Sequence, residues 1–246
     1  MRRLFLVLAA LAALFAAPSA RAQDAFTPAQ REAIRKLMIE TLRAHPELVL
    51  EALEALESKR ENEQQARVQA VVREKRKEIF EDADAPMAGN PAASVTIVEF
   101  FDYRCPYCKQ MQAPMQALLA ADKDVRVVRK DLPILGPASV VAARAALASR
   151  SQGKYPAFHD ALLGFRGQLD EAGVFRLAGQ AGLDIEKLRR DMDAPGIAAL
   201  IQRNMALAQA LGISGTPAFV VGETLVPGAI DPESLRKLVA DARAKR

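Results

Sequence analysis

Val98-Glu99-Phe100-Phe101-Asp102-Tyr103-Arg104-Cys105-Pro106-Tyr107-Cys108 carries the only two cysteines of this 246-residue chain. The run that leads into it, Val95-Thr96-Ile97-Val98-Glu99-Phe100-Phe101, is β-branched and aromatic, which predicts a strand. From Pro106 onward the pattern changes. Met111, Met115, Leu118 and Leu119 recur at helical spacing behind an early proline, so an amphipathic helix follows. The cysteines therefore sit at a strand-to-helix turn. Val125 to Leu132 then reads as a second strand, and the order strand, helix, strand implies a parallel pair joined by a crossover helix.

Toward the C-terminus, residues 137 to about 212 hold helical patterns punctuated by Gly153, Gly167, Gly182 and Pro195-Gly196, with no convincing strand. Ala218 to Val221, the turn Gly222-Glu223, and Thr224-Leu225-Val226 form a hairpin, and Asp231-Pro232-Glu233 caps a last helix. This order fits an α/β thioredoxin fold in residues 92–246, with a helical insertion at about 137–212. No internal repeat is visible.

Toward the N-terminus, residues 23–80 read as helical. Thr27-Pro28 is a capped start, and Ile34, Leu37, Met38, Thr41 and Leu42 recur at helical spacing. His45-Pro46 interrupts the first helix and opens a longer one, placing His45 at a helix terminus. In that second helix the apolar positions Val49, Leu53 and Leu56 give way to the polar run Glu57 to Gln65 before Val68, Val72 and Ile79 resume the stripe. Stripes this narrow cannot bury themselves, so they pack on the main domain or on copies of the same segment. The expectation favoured here is a homo-oligomer through the N-terminal helices. Residues 81–91, rich in Ala, Asp, Pro and Gly, read as a linker.

Residues 1–22 read as a cleaved secretory signal peptide. Arg2 and Arg3 precede an apolar run ending at Ala17, and Ala20-Arg21-Ala22 supplies the small-residue cleavage site. A membrane anchor would need roughly 20 apolar residues. Removing Arg2, Arg3 and Arg21, with no acid among residues 1–22, lowers the formal net charge from +4 to +1, so the high isoelectric point implies no nucleic-acid partner. Export places both cysteines where disulfides form and persist.

A C-x-x-C can be a redox pair, half a zinc site or a haem attachment. Haem attachment needs His after the second cysteine, and Lys109 stands there. A zinc site within one chain lacks ligands, since only His45 and His159 exist, and His159 reads as structural. The redox reading has a mechanism. Unpaired N–H groups at a helix start stabilise negative charge, which makes Cys105 the exposed, low-pKa nucleophile. Cys108, one turn later, resolves the mixed disulfide, and Pro106 fixes the backbone between them. Tyr107 brings no imidazole near the thiolate, which predicts a less oxidising centre than a C-P-H-C protein.

Val98 to Cys108, together with Gly212-Ile213-Ser214-Gly215-Thr216-Pro217-Ala218-Phe219, resembles the DsbA-like branch of the thioredoxin superfamily. With its helical N-terminal region, the chain is most similar to the suppressor-of-copper-sensitivity protein C group, whose members have such an extension. The resemblance implies a cis Thr216-Pro217 bond facing the cysteines and pairing with extended substrate, and a buried Glu99 that exchanges a proton with Cys108. It implies no bound cofactor beyond the Cys105-Cys108 redox disulfide. The activity it implies is that of a periplasmic disulfide isomerase or reductase, with exported cysteine-containing clients and a membrane-bound redox partner. A monomeric disulfide oxidase is the rival reading. Cu(I) handling by the thiols of Cys105 and Cys108 is another.

Overall fold

The computed structural model describes residues 26–245, so the signal peptide expected at 1–22 lies outside the described residues. The chain divides into two compact units that meet at Glu61 and Asn62.

The first unit holds helix α1, Pro28–Ala44, and the first half of α2, Glu47–Glu74. Thr27 caps α1 through a reciprocal capping box with Gln30, Pro28 occupies the first turn, and His45 closes the helix. None of the α1 residues is buried, and Leu37, Met38, Leu50 and Leu53 are each more than half exposed.

The second unit is a five-stranded mixed sheet wrapped by helices. Its elements are the end of α2, α3 (Arg76–Phe80), β1 (Met87–Gly89), β2 (Val95–Phe101), α4 (Pro106–Ala121), β3 (Val125–Asp131) and α5 (Pro137–Ala148). A short 3-10 turn, Ser149–Gln152, leads to α6 (Tyr155–Gly164), α7 (Glu171–Gln180), α8 (Ile185–Met192) and α9 (Pro195–Ala210). The hairpin β4 (Ala218–Val221) and β5 (Thr224–Pro227) and helix α10 (Pro232–Ala244) complete the unit. Strand order is β1-β3-β2-β4-β5; β2 and β3 are parallel and the other pairings antiparallel. This is the thioredoxin-like α/β architecture with helices α5 to α9 inserted between β3 and β4.

Side-chain alternation sorts the sheet into two apolar faces. Val95, Ile97, Val125, Val127, Phe219 and Val221 lie under Met111, Met115 and Leu118 of α4 and Leu235 and Val239 of α10. On the opposite face, Val98, Phe100, Val128, Ala218 and Val220 pack with Val68 and Val72 of α2, Ile79 and Phe80 of α3, and Leu207 and Ala208 of α9. A third cluster joins Phe101, Tyr103, Cys105 and Cys108 to the inserted helices.

Two boundaries differ from the sequence expectation. Residues 62–80, expected to belong with the N-terminal helices, sit in the compact unit of the sheet. The reason is burial: Val72 and Ile79 are 1% and 0% exposed, because they seal one apolar sheet face. Residues 81–91 are also more than a linker. Met87–Gly89 forms the edge strand against Arg126–Val128, and Gly89 has φ +86°, where a Cβ would stand 2.5 Å from the Val125 carbonyl oxygen. Lys130 fastens the same region: it is 1% exposed, and its Nζ donates to the Asp82 carboxylate at 2.5 Å and the Glu78 carbonyl at 2.9 Å.

Candidate dithiol active site

Strand β2 ends at Phe101 and α4 starts at Pro106, and the four residues between them turn the chain. Asp102 organises that turn. Its Oδ1 accepts from the Arg104 N–H at 2.8 Å, its carbonyl accepts from the Cys105 N–H at 3.1 Å, and its side chain is 2% exposed. Cys105 is therefore the N-cap of α4, Pro106 fills the first turn without wasting a donor, and Cys108 lies one turn on.

Both cysteines are free thiols. Cys105 Sγ lies 3.0 Å from the carbonyl oxygen of Thr216, and the Thr216-Pro217 peptide is cis. The structure thus brings Cys105, Cys108 and the Thr216-Pro217 segment together, while Tyr107 points outward with 58% exposure. The picture of an exposed nucleophile needs correction, since Cys105 is 4% exposed with its sulfur against the Thr216 carbonyl.

The two thiols are driven apart in acidity. A hydrogen bond from the Cys108 thiol lowers Cys105 to about 5 against the opposing effect of burial, helped by the Thr216 side chain and the Cys108 and Tyr107 N–H groups. Cys108 shifts far upward, first by burial, then by its bond to Cys105, with the Glu99 charge adding to the effect. These opposite shifts make Cys105 the thiol that ionises first.

Beneath the pair lies a group of buried charges. Glu99 on β2 stands beside Arg129 on β3 in register, and burial raises Glu99 to about 7 while Arg129 opposes the rise. Asp131 lies two residues along the same strand face, 1% exposed, with neither carboxylate oxygen hydrogen-bonded among the described residues; burial raises it to about 8. His159 is 2% exposed, contacts the Tyr103 hydroxyl at 2.9 Å, stacks on Tyr155, and is held neutral by burial. Sequence reasoning found Glu99 and gave His159 a structural role, but it missed Arg129 and Asp131. A signal existed, because Arg129-Lys130-Asp131 puts three consecutive charged residues at the end of a strand whose centre, Val127-Val128, is apolar.

A family model for the DSBA-like thioredoxin domain matches residues 96–240, more than half the chain. The chain belongs to the DsbA-like thioredoxin family. That family is one of thiol-disulfide oxidoreductases. Residues 30–63 match a second model, the copper resistance protein ScsC N-terminal domain. A thioredoxin-like oxidoreductase from Silicibacter pomeroyi is 53% identical, with a TM-score of 0.68 over 69% of this chain and 98% of that one. Proteus mirabilis ScsC in a transitional conformation is 31% identical at TM-score 0.66, covering 90% of this chain and 100% of that one. Among curated relatives, the Na(+)/H(+) antiporter NhaA 3 of Salinispora tropica is 34% identical over 158 residues, or 63% of this chain. The match spans only 24% of that relative's length. Among the described residues, no helix is long and apolar enough to cross a membrane.

Proposed function

We propose that this protein is an exported disulfide isomerase or reductase that acts on periplasmic proteins through the Cys105-Cys108 dithiol. The observation that carries the exchange chemistry is the acidic Cys105 at the start of α4, against the Thr216 carbonyl and beside a fully buried Cys108. The Cys105 thiolate attacks one sulfur of a client disulfide, forming a mixed disulfide and expelling the other client sulfur as a thiolate. In isomerisation the freed thiolate attacks a second client disulfide, and the client thiolate expelled there attacks the client sulfur of the mixed disulfide, forming a new client disulfide and releasing Cys105 as the thiolate. In reduction Cys108 loses its proton to Glu99 and attacks Cys105, releasing the second client thiolate and leaving the Cys105-Cys108 disulfide. A membrane-bound partner then returns two electrons.

Isomerisation over oxidation is favoured by the exposed apolar side chains of residues 26–61, including Leu37, Met38, Leu50 and Leu53. Copies of this chain joined there would surround one misfolded client with several dithiols. Export is supported by Arg2, Arg3 and the Ala20-Arg21-Ala22 site. The test is refolding of a client with scrambled disulfides, compared with oxidation of the same client fully reduced. The full chain is expected to rescue the scrambled client, and a variant lacking residues 26–61 to lose that rescue while retaining dithiol oxidation. Background rescue by the full chain, with rapid oxidation of the reduced client, would establish an oxidase instead.

A further inference from the structure

A cavity of about 230 Å3 opens where α3, β3 and α9 meet, on the sheet face opposite α4. Lys77 and Glu78 come from α3 and Asp82 follows it; Lys130 alternates to the same face of β3 as Val128, and Arg203, Asn204 and Leu207 lie on α9. Three cations thus stand against two carboxylates on the walls. Both carboxylates are engaged, Asp82 with Lys130 at 2.5 Å and Glu78 with Lys75 at 3.3 Å. The cations are only partly spent. Arg203 gives one of its five N–H donors to Asp84 at 2.7 Å, and Lys130 places two of its three, on Asp82 and the Glu78 carbonyl. The Lys77 ammonium has no ion pair or hydrogen bond among the described residues.

Asn204 adds a second, independent observation. It is 1% exposed, its Nδ2 donates to the Asp131 carbonyl at 3.2 Å, and its Oδ1 is buried without a partner among the described residues. Turning the amide over would set Oδ1 against the Asp131 carbonyl oxygen, so the unmet atom is the acceptor. A buried acceptor is costly until a donor reaches it. The wall therefore asks for two things at once: negative charge for the unspent cations and one N–H or O–H for Asn204. Lys130, also 1% exposed, and Asn204 are both held by the fold, so these groups are in place before anything binds.

We infer that this cavity is a binding site for a small hydroxy-carboxylate, its carboxylate held by Lys77, Lys130 and Arg203 and its hydroxyl donating to the Asn204 Oδ1. A single negative charge matches the one excess positive charge of the walls. A hydroxyl supplies the missing donor without adding a cation, and Leu207 offers an apolar wall to a short carbon stem. The volume lies below the roughly 300–1,000 Å3 typical of drug-sized sites, which limits the ligand to a small metabolite. Neither cysteine lines the cavity, so the site is separate from the dithiol and does not depend on the exchange reading.

The experiment is isothermal titration of residues 23–246 with three probes at matched ionic strength: 2-hydroxybutyrate, butyrate, which lacks the hydroxyl, and 2-hydroxybutyramide, which lacks the charge. The hydroxy acid is expected to bind about tenfold more tightly than either analogue, the effect of one well-placed hydrogen bond or charge contact. Asn204→Leu should erase the preference for 2-hydroxybutyrate over butyrate and leave butyrate binding unchanged. Lys77→Gln, at an exposed position that cannot unfold the chain, should weaken both acids about equally and leave the amide unaffected. Equal affinity for the three probes, or no saturable heat with any of them, overturns the inference, because the cavity would then hold water only. Binding of the hydroxy acid that survives both substitutions overturns it too, since the ligand would sit elsewhere. If Asn204→Leu fails to fold, the three-probe comparison and Lys77→Gln still decide the matter.

Discussion

At the scale of residues, Cys105 gathers its acidity from neighbours that can be removed singly. Its ultraviolet thiolate absorbance should titrate near pH 5 in the reduced protein. Thr216→Val deletes one supporting hydrogen bond, and the midpoint should rise by up to about one unit, the scale of one charge-assisted bond. An ordinary free-thiol midpoint in the unaltered protein would remove the nucleophile assignment. Because the folded-state value is depressed, the thiolate stabilises the reduced protein fully above its ordinary value of 9.0, and that benefit fades as pH falls toward 5. Asp131 and Glu99 have the opposite sign. Their folded values are raised, so their protons favour the native state below about pH 4 and that contribution disappears as pH rises through 7 to 8. In the oxidised protein, where Cys105 no longer titrates, the denaturation midpoint should therefore fall between pH 5 and pH 8. Asp131→Asn should flatten that fall. A midpoint that rises across the interval would mean that Arg129 holds Asp131 ionised.

At the scale of elements, the β2-turn-α4 unit was legible because period-two and helical patterns meet at the cysteines. The hairpin and the capped α10 were legible through Gly222 and Asp231. The end of the N-terminal region was not. The apolar stripe lapses from Glu57 to Gln65 and resumes at Val68, and a pattern cannot say which partner covers Val68, Val72, Ile79 and Phe80. The structure assigns them to the sheet, which changes where a truncation can be made. Removing residues 26–61 should leave a chain that melts within a few degrees of the full protein. Extending the cut to Phe80 strips several buried aliphatic and aromatic groups, each worth about 2–5 kcal/mol on truncation, and should abolish cooperative unfolding. Thermal melts followed by circular dichroism separate these outcomes, and equal stability of the two truncations would refute the packing described here. Strand β1 was missed for a different reason. Three residues ending in glycine carry no alternation to read, and they are a strand only because β3 offers an open edge.

At the scale of the whole molecule, residues 26–61 hold most of the exposed large apolar side chains among the described residues, and light scattering of residues 23–246 should report a multiple of the monomer mass. The variant lacking residues 26–61 should run as a monomer. A monomeric full chain would end the oligomeric reading and weight the protein toward oxidation. What the sequence by itself determined was the class and the candidate site: two cysteines one helical turn apart behind a strand, and a Thr216-Pro217 before a hairpin. Those signals are local, since spacing along the chain alone places each group on its element. Only the tertiary structure decided which charges lie beneath the dithiol, which helical residues seal the sheet, and which side chains enclose the cavity between α3, β3 and α9. Glu99, Arg129 and Asp131 come from strands joined by a helix, and Asn204 reaches the Asp131 carbonyl from 73 residues away. Such contacts depend on strand register and burial, which no short window of sequence contains.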